Sequence, residues 1–228
     1  VIDMKKTKVA FTMAEILMTL MIIGVIAAMT IPSLQEDARR RSYAVACKKA
    51  FSSLSGAISM AELEYGDMKR WGLTDTDTTK VLDRFSEKMN ITKTCYNKSG
   101  CLGKGEFYQL NGAKYTSLNA NGFGSPTTAF ETADGMSWVF DIQPNSHYMF
   151  FVDVNTANQA PNTLGEDVFL FRWYPDKGLV PEGYNKTPSN IACGRTKTGV
   201  ECAALVLRYG DLNYDKHIKD ELAGKKTN

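Results

Sequence analysis

Residues 11–34 read FTMAEILMTLMIIGVIAAMTIPSL. Up to Ile31 the one charged side chain is Glu15. Thr12, Thr19 and Thr30 are polar, but their hydroxyls can bond back to helix carbonyls. At about 1.5 Å per residue, a helix over 11–31 reaches about 31 Å, roughly one hydrocarbon core. A carboxylate in such a segment needs a specific reason, because an unpaired charge in hydrocarbon costs several kcal/mol.

Lys5, Lys6 and Lys8 precede this run, and Glu36, Asp37, Arg39, Arg40 and Arg41 follow it. Both flanks are basic, so charge counting alone leaves the orientation open. A secretory signal peptide would show a basic start, an apolar core and a small-residue cleavage site, for which Ala27-Ala28-Met29 is a loose fit. A plain signal anchor is the other simple reading. Neither has a use for Glu15.

The order is Ala10, then Phe11-Thr12-Met13, Ala14, Glu15, an apolar run over 16–31 and Pro32. It resembles the processing and assembly region of type IV pilins and type II secretion pseudopilins. There a small residue, usually Gly, precedes Phe-Thr-Leu, one residue, Glu and a long apolar run closing near a Pro. Ala10 and Met13 depart from the usual Gly and Leu. The resemblance implies a basic leader, residues 1–10, that stays cytoplasmic while the rest is exported. It implies cleavage between Ala10 and Phe11 by a prepilin peptidase, with methylation of the new Phe11 amine. Glu15 would then pair with that amine, or a neighbour's, and set the axial register of an incoming subunit. The implied partners are copies of the chain or related pilins, the peptidase and an inner-membrane assembly platform. The implied location is the bacterial inner membrane, single-pass, with later assembly into a periplasmic pseudopilus or an extracellular pilus. Secretion and pilus systems, and major and minor subunits, stay undivided at this level. A minor pilin serving adhesion or DNA uptake is the alternative function.

The first ten residues hold three lysines and one aspartate. Of the chain's 27 basic and 25 acidic residues, 24 of each therefore lie after Ala10. The net charge of +2 is a leader effect and gives no support for nucleic-acid binding. Lys216, His217, Lys219, Lys225 and Lys226 are interrupted by Asp215, Asp220 and Glu221, which reads as a solvated end.

Pro32 either kinks the helix or ends it. Continuation is favoured by Ala44, Cys47, Phe51, Leu54, Ile58, Ala61 and Tyr65, which recur at alternating spacings of three and four. The pattern predicts one helix over about 11–65, stopped at Gly66, with its second half against a globular head. The resulting division is leader 1–10, membrane and assembly helix 11–34, amphipathic continuation 35–66 and head 67–228.

Within the head, 78–89 predicts a short helix, followed by a turn-rich stretch over 97–125. Strands are predicted at 136–142 (MSWVFDI), 147–154 (HYMFFVDV) and 168–174 (VFLFRWY), the first two as a hairpin across Pro144-Asn145-Ser146. Residues 203–209 (AALVLRY) fit a strand or a short helix equally. The expected class is α+β, a long N-terminal helix packed on a small antiparallel sheet, which the resemblance makes pilin-like.

Asp153-Val-Asn155, Pro161-Asn162, Gly165 and Asp167-Val-Phe169 resemble a passage of pseudopilin heads, some of which hold calcium near this point. That makes Asp153, Asn155 and Asp167 weak calcium candidates, against a reading as turn formers. No other cofactor is implied. Five cysteines in an exported chain point to disulfides. Near-neighbour pairs, Cys95 with Cys101 and Cys193 with Cys202, are the first choice among three connectivities. Their spacings and two histidines are poor for a structural zinc. Cys47, on the helix stripe, reads as a buried free thiol. Because the sequence has no nucleophile elbow, phosphate-binding glycine loop or Cys-x-x-Cys pair, it does not read as an enzyme.

Overall fold

The structure is a computed structural model that describes residues 12–73, 78–96, 98–119, 122, 128–143 and 147–225. It divides into two compact units, Val1–Arg39 and Arg40–Asn228. Helix α1 (Met13–Tyr65) contributes to both and continues through Pro32, as the spacing of the apolar stripe predicts. Gly66, at a φ of 77°, follows its end, a backbone setting that glycine adopts without a Cβ clash.

In the first unit α1 has no apolar cover among the described residues. Every large apolar side chain over 13–34 is exposed, from Met13 at 81% to Leu34 at 66%. The helix is long and apolar enough to cross a membrane.

In the second unit α1 buries Tyr43, Ala44, Cys47, Ala50, Leu54, Ala57, Ile58 and Ala61. The predicted stripe is shifted slightly. Phe51 is only half-buried and Tyr65 is 43% exposed, while Tyr43, Ala50 and Ala57 take their share of the seam. The reason is steric: the seam is built mainly from small residues, which brings the helix close to a sheet face filled with rings. Phe130, Trp138, Phe140, Phe150, Phe169, Phe171 and Trp173 belong to the same core. The rings of Phe51 and Phe171 meet edge-on at 5.3 Å.

The sheet is antiparallel throughout, in the order β1-β2-β3-β4-β5-β6. Its strands are β1 (Ile91–Tyr96), β2 (Thr128–Thr132), β3 (Ser137–Gln143), β4 (His147–Asp153), β5 (Val168–Tyr174) and β6 (Gly178–Pro181). β3 and β4 pair from Ser137↔Asp153 to Gln143↔His147, whereas the connecting residues 144–146 lie outside the described residues. Alternate side chains go to opposite faces. Phe150 and Val152 join the α1-side core; Met149 and Phe151 join a second core with Leu102, Phe107, Leu118 and Leu164. Loops thus cover the face away from α1, which explains why β4 and β5 read as nearly continuous apolar runs.

Helix α2 (Thr79–Phe85) is shorter than the 78–89 expected, with turns continuing to Asn90. Residues Ala203–Tyr209 form a helix, α3, closed by Gly210 in the left-handed conformation. The basic end is not simply solvated. It forms α4 (Tyr214–Leu222), whose Tyr214 is buried and whose His217 ring stacks on Tyr209 at 4.0 Å.

Candidate functional site

The start of α1 is built on Thr12 and Glu15. The Thr12 amide donates to Glu15 Oε2 at 2.8 Å, its hydroxyl donates to the same oxygen at 2.9 Å, and the Glu15 amide donates to Thr12 Oγ1 at 3.2 Å. This is a capping box, in which threonine and glutamate reciprocally satisfy amides that the first helical turn leaves without partners. The signature Thr-x-x-Glu stands in the sequence at 12–15, so Glu15 has a local role besides the one the resemblance implies. Ala10 and Phe11, the expected processing pair, lie outside the described residues.

A second polar group lies in the head, where β4 ends and β5 begins. Asp153 and Asp167 are both buried, at 2% and 0% exposure. Asp167 Oδ1 accepts from the Thr163 amide at 2.6 Å and Oδ2 from the Asn162 amide at 2.9 Å. Asp153 Oδ1 accepts from the Asn155 amide at 3.2 Å, an Asx turn. Asn155 Nδ2 donates to the Tyr43 hydroxyl at 2.9 Å, joining this passage to α1. The structure thus brings Asp153, Asn155 and Asp167 into one region with Asn162 of the same passage, and adds Tyr43 and Thr163, which no local pattern marked.

Burial pushes the Asp153 carboxyl well above the usual range, and the Asp167 charge pushes the same way. Burial raises Asp167 to about 6, partly offset by the amides of Thr163 and Asn162. Among the described residues, one Asp153 oxygen, Oδ2, is buried without a partner, as are Oδ1 of Asn155 and Oδ1 of Asn162. A calcium ion takes about six to eight oxygens, charged carboxylates foremost. Three of the four carboxylate oxygens here are instead committed to backbone amides. The amide bonds to these oxygens support the turn-forming reading. The unpartnered Asp153 oxygen fits a protonated carboxyl better than an ionised one.

Cys95 is bonded to Cys101 and Cys193 to Cys202. The first bridge belongs to the loop-side core and the second to the α1-side core. Cys47 is free, fully buried, and its thiol is pushed far up by burial. Among the described residues no group of three or more His, Cys, Asp or Glu side chains is placed to hold a metal ion. The fold is consistent with a membrane-anchored structural subunit that carries a β-sheet head.

Residues 33–189 match a family of unknown function, DUF6613. The chain belongs to this family. The match begins just after Pro32 and includes the second half of α1 and all six strands. No curated protein and no solved structure matches the chain. This DUF6613 member has a pilin-like α+β fold, with one N-terminal helix consistent with a single-pass membrane anchor and a β-sheet head closed by two disulfides.

Proposed function

We propose that this chain is a filament subunit of the type IV pilin or type II secretion pseudopilin kind, held in the bacterial inner membrane before assembly. The observation that carries the reading is Glu15, the only charged residue in the apolar stretch 11–34, whose large apolar side chains from Met13 to Leu34 are all exposed. Such a surface asks for a cover, first lipid and then the helices of neighbouring subunits. A lone acid at its start suits a register device. The box with Thr12 satisfies two amides of its own chain, but it does not neutralise the carboxylate. In this reading residues 1–10 are removed, 11–34 span the membrane and later pack in the filament, 35–66 carry the helix into the head, and 67–228 form the head outside the cytoplasm. The partners are like subunits, the prepilin peptidase and the assembly platform.

The adhesive or DNA-binding alternative would draw support from an exposed basic and aromatic patch. The nearest candidate sets Arg84 over Trp71 at 4.4 Å and over Tyr65 at 5.1 Å, with Lys88 beside Tyr65. Lys88 is paired with Glu64, and nearby Lys69 with Asp67. A charge-balanced cluster of this kind favours a plain structural subunit.

Intact-mass measurement of membrane-extracted protein tests the proposal. The expected mass lacks residues 1–10 and carries one added methyl group. A mature terminus after Ala27 or Ala28 would restore the secretory reading and overturn this one.

A further inference from the structure

The second unit carries a groove of about 380 Å³ between the turn over 103–108 and the loop over 157–162. Its volume falls within the range of about 300–1,000 Å³ typical of small-molecule sites. Both walls are tied to each other by hydrogen bonds. The Tyr108 amide donates to the Asn162 carbonyl and the Leu164 amide to the Tyr108 carbonyl, each at 2.9 Å. The Asn162 side-chain nitrogen donates to the carbonyls of Ala157 at 3.2 Å and Glu106 at 3.4 Å. Gly103 makes a close approach, since an added Cβ there would overlap the Ala157 carbonyl. A groove held in this way is formed before a ligand arrives, so binding does not have to order it.

Tyr108, in the lining, is 38% exposed, and Lys104, Glu106 and Asn158 beside it are exposed as well. Lys104 and Asn158 have no ion pair or side-chain hydrogen bond among the described residues. Asn162 also lines the groove, and its Oδ1 is buried without a partner among the described residues. An acceptor in that state costs free energy until a donor reaches it.

The lining holds one cation and one anion, so neither a simple anion nor a simple cation is favoured. What it offers is an aromatic ring bordered by two amide side chains, a carboxylate and an ammonium, which together donate and accept in several directions. A ligand with an apolar ring face and hydroxyls around its rim engages all of them. We infer that the groove binds a pyranose unit of a neutral saccharide. The C–H face of the sugar lies on the Tyr108 ring, whose negative face attracts it. Its hydroxyls donate to Asn162 Oδ1 and the Glu106 carboxylate and accept from Lys104 and the Asn158 amide. A flat heteroaromatic ring would also stack on Tyr108, but it carries few hydroxyls for the rim. The inference concerns the second unit alone and stands whether or not the chain assembles into a filament.

The test uses the full chain in a zwitterionic detergent free of sugar, with saturation-transfer nuclear magnetic resonance of maltose, cellobiose and N,N′-diacetylchitobiose. At least one of the three is expected to take up saturation at its ring C–H protons. Sorbitol, which has hydroxyls but no ring face, is expected to take up none. Tyr108→Ala should weaken binding at least about tenfold, and Tyr108→Phe should stay within about twofold of wild type, because stacking needs the ring and not its hydroxyl. Lys104→Ala should weaken binding about threefold to tenfold. Lys104 is exposed and unpaired, so this variant decides the matter if Tyr108→Ala loses its near-ultraviolet circular dichroism. The inference is overturned by an absence of saturation in all three disaccharides, by a folded Tyr108→Ala or a Lys104→Ala that binds as wild type does, or by adenosine binding more tightly than any of the sugars.

Discussion

The Tyr43 hydroxyl and the Asn155 side-chain nitrogen stand 2.9 Å apart, so the first buried residue of α1 is hydrogen-bonded to the loop that follows β4. The bond joins residues 112 apart in sequence. The sheet presents mostly apolar contacts to α1, which fix its depth but not its rotation. A polar contact with one geometry adds the missing constraint.

Tyr43→Phe deletes this bond while keeping the ring. Asn155 retains long contacts to the carbonyls of Gln159 and Ala160, so its nitrogen is not stranded. The expected loss is about 0.5–1.5 kcal/mol. It should appear as a lower urea midpoint for the full chain in detergent, with an unchanged slope. A midpoint equal to that of wild type would leave the bond with no net stabilising part.

Asp153 and Asp167 give the head an unusual pH response. A carboxyl whose folded pKa lies above its unfolded value binds more protons folded than unfolded between those values. Asp167, raised to about 6, and Asp153, raised further from the usual range, therefore contribute most below the unfolded pKa of 3.8. That contribution is lost as pH rises through about 6, and beyond for Asp153. Asp153→Asn removes the buried charge and keeps an oxygen for the Asn155 amide. Relative to wild type it should stabilise by about 1–3 kcal/mol at pH 7.5 and change little at pH 4. Thermal midpoints of both proteins across this range give the comparison, and parallel curves would show that Asp153 is not the titrating group.

Gly165 combines two constraints. Its φ is +78°, and an added Cβ would stand 2.7 Å from Cys202 Sγ and 2.9 Å from the Gly199 carbonyl. Gly112 has a φ of +86° and open space around it. Gly112→Ala should cost about 1–2 kcal/mol from backbone strain alone. Gly165→Ala should cost at least about 1 kcal/mol more, because overpacking is added to strain. Equal losses in chemical unfolding would mean that the Cys202 side yields freely.

The parts of this fold that were legible in sequence are those whose pattern is set by burial over several residues. VFLFRWY at 168–174 is β5 from end to end, since both its faces are covered. The α1 seam is legible through spacing, but Ala50 and Ala57 lie one residue off the three-and-four series, beside Phe51 and Ile58, and only the packing against the sheet brings them into the seam. β1, ITKTCY, exposes three residues in succession and lacks a strong alternation; β6, GLVP, ends in proline at the sheet edge. α4, YDKHIKDEL, hides its buried Tyr214 among charges of both signs. Asp153 and Asp167 are legible as turn formers, and the amides they accept from lie only two to five residues away; their near-complete burial depends on contacts distant in sequence and is not legible. The Thr12–Glu15 box is fully local, written in the sequence as Thr-x-x-Glu.

Thr12 and Glu15 also allow the two roles of the carboxylate to be separated. Glutamine supports a capping box as glutamate does, so Glu15→Gln keeps the cap and removes the charge. Thr12→Ala weakens the cap by about 0.5–2 kcal/mol and keeps the charge. Glu15→Ala removes both. If the carboxylate acts by pairing with an α-amine in the filament, Glu15→Gln and Glu15→Ala should lower filament yield alike, by at least about tenfold, because a stranded charge in a low-dielectric bundle costs several kcal/mol. Thr12→Ala should assemble near the wild-type level, and all three should insert in the membrane, since none makes the helix less apolar. The measurement is shed filament mass against membrane-held subunit at equal expression. Assembly by Glu15→Gln together with failure of Thr12→Ala would make the cap, and not the charge, the reason for an acid at this position.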